Sequence, residues 1–287
     1  MANAARTIIA LTLPFLAGSC SDPAETSGPN LPASSPECGS TPEGAAPMAF
    51  IPSPGFCIDR TEVTRSQYQN WLRDGPSPDP EKLPEVCQGK TSFAPGPECM
   101  QTENVCRSGC DHRPVVCVDW CDAHAYCTAM GKRLCGAVSG GEVPFEGGPD
   151  PSLSQWMSAC TSGGLYDYPY GDVFDPKACN GAEQQPGCVD EGKCRARDVA
   201  TSPSCRGPAA PFDGIYDLSG NVSEWEDSCD WGGSGHCRHR GGSTSTDHAW
   251  WTGLLCGFDS SSLMRITSYD YHGWDVGFRC CKDVGDS

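Results

Sequence analysis

Apolar residues in this chain come in short bursts, and glycine or proline breaks most of them. Ala49-Phe-Ile-Pro52 and Gly55-Phe-Cys-Ile-Asp59 are brief apolar runs between turn formers, the pattern of short strands. At Thr64 the period changes. Tyr68, Trp71 and Leu72 recur at helical spacing, Thr64 is a good cap, and Gly75 lies beyond the end, so the spacing predicts a helix through Arg73. Pro114-Val-Val-Cys-Val118 reads as a buried strand. Asp119 then caps a helix with Trp120, Ala123, Cys127 and Met130 on one face, stopped by Gly131. Asp150-Pro151 signals a third helix, whose stripe is Leu153, Trp156, Met157 and Cys160. From Thr161 to Pro211 the periodicity fades. So long a loop needs cross-links or a function, and Cys179, Cys188, Cys194 and Cys205 are available as staples.

The N-terminus differs from the rest. Arg6 precedes an apolar run, Ile8 to Leu16, too short to span a bilayer as a helix. Small residues follow, Ala17-Gly18-Ser19, ending at Cys20. Residues 1–19 thus read as a secretory signal peptide. The small residues before Cys20 resemble a bacterial lipobox, with Ala17 where Leu is usual. That resemblance implies lipidation of Cys20; plain secretion is the alternative. Residues 20–47, rich in Ser, Pro and Gly, read as a flexible tether, and the folded domain is expected over 48–283.

Composition narrows the class. With 34 glycines and 25 prolines the chain is no helix bundle or coiled coil. A formal charge of −17 argues against nucleic acid, whose binders present a basic face. The 21 cysteines point to an oxidising compartment outside the cytoplasm. An odd number cannot all pair within the chain. Acylation of Cys20 would leave an even set.

Several stretches then coincide in order: Phe56-Cys-Ile-Asp-Arg-Thr-Glu-Val-Thr64, Pro114 to Trp120, Ala125 to Leu134, Tyr168-Pro-Tyr-Gly171, Gly214 to Trp225, Arg240-Gly-Gly-Ser243 and Val276-Gly-Phe-Arg-Cys280. Together they resemble the formylglycine-generating enzyme, or sulfatase-modifying factor, family over nearly all of Ala49 to Cys281. The resemblance implies a single irregular, loop-rich α+β domain with multiple disulfides, related to the C-type lectin fold. It implies the disulfides Cys127–Cys280 and Cys160–Cys256. The remaining cysteines are expected to form local staples such as Cys229 with Cys237. It also implies structural calcium, held by the side chains of Asp217 and Glu224 with the carbonyls of Gly220 and Val222. Hard oxygen donors on a tight turn suit that ion. A second site would begin at Asn180 and Gly181, with Asp190 or Asp198 as the distal ligand. The alternative is that these are ordinary loop acids.

One part of the pattern is missing. The family enzyme oxidises a substrate cysteine to formylglycine with copper held by two cysteines, and Thr246 and Trp251 occupy those positions here. A hydroxyl is a hard ligand and an indole only donates, so copper is not expected. Ser243, which lines the family's substrate groove, is kept, and Asp275 replaces an Asn there. Trp250, Trp251, Tyr269, Tyr271 and Trp274 flank the segment, either as core or as an aromatic surface for a peptide or carbohydrate. The leading expectation is a binding module of the cell envelope, meeting a membrane only through a lipid anchor. The alternative is a metal-dependent oxidase or protein-modifying enzyme whose site is rearranged around Asp247, His248, His236 and His239. Cys106-x-x-x-Cys110 with His112 has a loosely zinc-like spacing. In an oxidising compartment a disulfide is the stronger reading.

Overall fold

A computed structural model describes residues 29–76, 81, 83–147, 149–246, 253–257 and 266–285. The first apolar bursts form β1 (Met48–Ile51) and β2 (Phe56–Asp59), paired antiparallel. Thr64 caps α1 (Arg65–Arg73) in a reciprocal box with Gln67, and Tyr68 and Trp71 are buried. Asp119 caps α2 (Trp120–Ala129) the same way with Asp122. β3 (Arg133–Leu134) follows, then α3 (Gln155–Cys160) and the single turn α4 (Cys188–Glu191). The C-terminal third supplies β4 (Ser223–Cys229), β5 (His236–Arg240), β6 (Ile266–Ser268), β7 (Val276–Phe278) and β8 (Cys280–Asp283). One antiparallel sheet runs β1-β2-β8-β3; the other runs β6-β5-β4-β7, with β4 and β7 parallel.

Two sequence expectations fail here. Pro114–Val118 is no strand. Only Pro114 makes an isolated bridge, to Thr64, and Cys117 sits at φ 63°, which breaks an extended run. The third helix begins at Gln155, not at Asp150-Pro151. Asp150 Oδ1 accepts from the backbone and hydroxyl of Ser152, a local turn, and Ser154 takes the cap through Met157 N. Leu153 is therefore left outside the helix, 40% exposed.

The larger core cluster joins the two main helices to the second sheet. Tyr68 stacks on Tyr126 at 5.5 Å, and Phe278 meets both rings edge-on. Trp225 is fully buried, its indole N–H donating to Val118 O at 3.0 Å. A second cluster packs Ile51, Phe56 and Ile58 against Trp156, Met157 and Leu218.

All twenty described cysteines are bonded, as ten disulfides. Cys127 joins Cys280, Cys160 joins Cys256 and Cys229 joins Cys237. Cys106 joins Cys110, which removes both as zinc ligands. The long loop is stapled by Cys179–Cys205 and Cys188–Cys194. Such a complement belongs to a protein of an oxidising, extracytoplasmic compartment. Cys20 and the segment expected to be a signal peptide lie outside the described residues. Residues 29–47, read from sequence as tether, are pinned to the domain. Cys38 is bonded to Cys57, and the hydroxyls of Ser34 and Ser35 accept from Met48 N and Phe50 N. Among the described residues no helix is long and apolar enough to cross a membrane.

Candidate functional site

The turn Asp217–Val222 and the following β4 carry the densest cluster of buried charge. Asp217, Gly220 and Asn221 all have positive φ. At Gly220 a Cβ would lie 2.7 Å from Asn180 O, so glycine is required for the two segments to touch. Asn180 Nδ2 donates to Asn221 Oδ1 at 3.0 Å, and Asn221 Nδ2 donates to Glu62 Oε1 at 3.0 Å. The two stretches expected to bind calcium are therefore in contact, with Glu62 beside them. Of the two distal candidates, Asp190 is an exposed residue of α4, and Asp198 lies 3.8 Å from Arg113 Nε.

Glu224 is committed to structure. Arg279, from the Gly-Phe-Arg-Cys motif, donates Nε and Nη2 to its two oxygens at 2.6 Å each, and Trp156 Nε1 donates to Oε2 at 2.8 Å. Asp217 is freer; its Oδ2 accepts from Ala200 N at 2.6 Å. Burial pushes the Asp217 carboxyl up to about 7, against the pull of that N–H and of Arg279. Burial, and then the charges of Asp217 and Glu224, push Glu62 well above the usual carboxylate range. Glu62 Oε2 is buried and has no hydrogen-bond partner. Three buried carboxylates thus face one guanidinium. Ionised together they leave an excess of negative charge that a divalent cation would neutralise, so the donor set fits calcium. Glu62 went unrecognised in the sequence. No local signal singled it out, because Glu62 follows Asp59, Arg60 and Thr61 in a polar stretch.

The described part of the segment corresponding to the family's catalytic centre, Ser243–Thr246, is a closed turn. Thr246 Oγ1 accepts from Ser243 N at 3.0 Å, and Thr246 N donates back to Ser243 O. Ser243 Oγ donates to Asp275 Oδ2 at 2.8 Å, and Ser245 Oγ to the same oxygen at 3.0 Å. Asp275 thus takes hydroxyl donors of that turn, and its charge replaces the neutral amide expected from the family. Trp250, Trp251, Asp247 and His248 lie outside the described residues. His236 and His239 do not converge. Three residues apart on β5, they point to opposite faces, and His239 packs edge-on to Trp225 at 5.5 Å. The flanking aromatics divide. Tyr269 packs on the larger core cluster, Tyr271 is 42% exposed, and Trp274 lines a pocket.

One charged group was not legible in the sequence. Among the described residues, Asp119, Asp122 and His272 alone place three metal-capable side-chain atoms within 4.8 Å of one another. Lys90 Nζ already sits 2.6 Å from Asp119 Oδ2 and from Asp122 Oδ1. An ammonium occupies that position, so the group is an ion-pair network at the start of α2.

With the geometry in place, comparison with known proteins is direct. The sulfatase-modifying factor enzyme 1-like domain matches residues 26–284. Formylglycine-generating enzyme of Mus musculus is 26% identical over 223 residues, 66% of this chain and 52% of that protein. Inactive C-alpha-formylglycine-generating enzyme 2 of Bos taurus is 35% identical over 120 residues, 39% of this chain and 32% of that protein. Serine/threonine-protein kinase Pkn1 of Chlamydia trachomatis matches at 27% over 180 residues, 62% of this chain but 24% of the kinase. The chain thus spans from about a quarter to about half of these relatives. The crystal structure of CarF superimposes with a TM-score of 0.50 at 19% identity, over 85% of this chain and 96% of that one, which speaks to fold alone. The signature residues that build the Glu224–Arg279 pair and the Gly220 turn therefore sit in a fold of the same kind, and the chain belongs to the sulfatase-modifying factor enzyme 1-like domain family.

Proposed function

We propose that this protein is a non-catalytic member of its family, a binding module of the bacterial cell envelope stabilised by calcium. One observation carries the reading: the copper-binding cysteine positions hold Thr246 and Trp251, and every described cysteine is in a disulfide. No thiol remains among the described residues to take a soft metal. Thr246 closes a turn through its hydroxyl, so the position serves structure. The similarity to inactive C-alpha-formylglycine-generating enzyme 2 supports the same reading. Calcium would be held by Asp217, the carbonyls of Gly220 and Val222, and Glu224 shared with Arg279. When bound it supplies charge neutralisation, and it locks the Asn180 and Asn221 segments together. The groove beside Ser243 and Asp275 would take a peptide or carbohydrate, and Cys20 would carry a lipid that tethers the domain to a membrane.

The test is direct. Purified oxidised protein is incubated with a peptide bearing a sulfatase-type cysteine motif, oxygen and Cu(I), and the peptide mass is followed. No conversion is expected. Formation of formylglycine above the copper-only control overturns the reading.

A further inference from the structure

A small pocket lies between one face of α1, the loop after Phe93 and the segment at Arg113–Val116. It holds about 200 Å³. Most of its wall is apolar, from Tyr68, Leu72, Met100, Val105, Val115 and Trp274. Two of its neutral polar wall groups are turned to backbone carbonyls, while Gln69 adds an amide to the lining. The Tyr68 hydroxyl donates to Phe93 O at 2.7 Å, and Asn104 Nδ2 donates to Cys194 O at 3.0 Å. An apolar cavity of roughly 150 Å³ accepts a benzene ring, whereas drug-sized ligands need roughly 300 Å³ or more. The space therefore suits one ring or one branched chain, and excludes an oligosaccharide.

Two guanidiniums line the same pocket on a protein whose formal charge is −17. Arg65 and Arg113 are adjacent, Arg65 N donating to Arg113 O at 2.8 Å. Arg65 spends its terminal donors on the carbonyls of Cys106 and Arg107, which leaves its positive charge without a carboxylate among the described residues. Arg113 Nε is buried without a hydrogen bond, and its nearest acid, the 47% exposed Asp198, is 3.8 Å away. Positive charge beside an apolar pocket selects an anion with an apolar body, and a planar guanidinium matches a carboxylate best.

We propose that this pocket binds an aromatic or branched-aliphatic monocarboxylate, its ring or chain among Tyr68, Val105 and Trp274 and its carboxylate on Arg113. The site goes beyond the proposed function, because a formylglycine-forming chain could carry it equally well. The same chemistry could come from a free acid or from the last residue of a peptide.

Isothermal titration calorimetry of the oxidised protein at low salt would compare phenylacetate, benzyl alcohol, and a short peptide ending in phenylalanine as its free acid or amide. Phenylacetate should bind one per chain. Benzyl alcohol should bind at least about tenfold more weakly, as expected for loss of a charge-assisted bond. Arg113→Gln should lose a similar factor, and Asp198→Asn, which frees Arg113, should bind more tightly. Val105→Trp, which fills the pocket, should abolish binding, and Met100→Trp serves if that variant does not fold. Tighter binding of the peptide acid than of phenylacetate, with none of the amide, assigns a chain end; binding of phenylacetate alone assigns a free acid. Equal affinity for acid and alcohol, unchanged affinity in a folded Arg113→Gln protein, or no binding by any probe overturns the proposal.

Discussion

Two disulfides lie side by side in the core, and their topology makes a quantitative prediction. Cys127–Cys280 and Cys135–Cys281 span 153 and 146 residues, and all four cysteines are fully buried. Taken alone, either closes a very long loop. While one is intact, however, the other closes only the short circuit through Cys127–Cys135 and Cys280–Cys281, on the order of ten residues, which the chain-entropy relation values at about 3 kcal/mol. If both are removed, Cys160–Cys256 still ties the interior, and the lost circuit is on the order of 50 residues, adding about 4 kcal/mol. Replacing one pair with alanine should therefore cost about 3 kcal/mol, plus the packing lost with the sulfurs. Replacing both should exceed the sum of the single costs by on the order of 1 kcal/mol. Urea unfolding of wild type, Cys127→Ala/Cys280→Ala, Cys135→Ala/Cys281→Ala and the quadruple variant, without reductant, measures that excess as a double-mutant cycle. A quadruple cost equal to or below the sum would refute the shared-circuit reasoning.

Three further outcomes are expected. Calcium should raise the melting temperature of the wild type but not of Asp217→Asn; an equal rise in both removes Asp217 from the site. Glu224 is unsuited to that test, because breaking its pair with Arg279 costs stability in chelator too. Arg279→Met should destabilise by about 3–5 kcal/mol, since it strands a buried carboxylate together with the carbonyls of Asp59 and Tyr216; chemical denaturation reads it, and a loss below about 1 kcal/mol would mean the pair is solvated. Burial, and then the charge of Glu142, push the Asp227 carboxyl up to about 7 from an ordinary 3.8. The folded state then binds this proton more tightly than the unfolded one, so this group costs stability as pH rises through that window, amounting to a few kcal/mol above it. Asp227→Asn should flatten that slope, gaining on the wild type at pH 8 and matching it below pH 4; an unchanged slope contradicts the assignment.

Local signals placed the elements that depend on neighbours in the chain. Thr64 and Asp119 cap α1 and α2 through side chains three residues away, so the caps were readable by spacing. At Asp150 two local signals competed. The Ser152 turn and the Ser154 cap prevailed because Ser154 also bridges to Ala137, a contact no local pattern contains. Cys117 turns left-handed while bonded to Cys99, and the strand expected there is lost to that tertiary constraint.

What the sequence by itself determined is an oxidising compartment, the family and the absence of the copper-binding cysteines, because these rest on residue identity: twenty-one cysteines, the ordered motifs, and Thr246 with Trp251. What only the tertiary structure decided is which charges meet. Glu62 joins Asp217 and Glu224 from more than 150 residues away, and Asp198 lies beside Arg113. Lys90 fills the Asp119–Asp122 pair, and the pocket beside Arg113 takes its walls from four separate stretches of chain. The reason is physical. Capping and turn preferences act over three or four residues, whereas Coulomb interactions and burial depend on distance in space, which is set only when the disulfides and the two cores close.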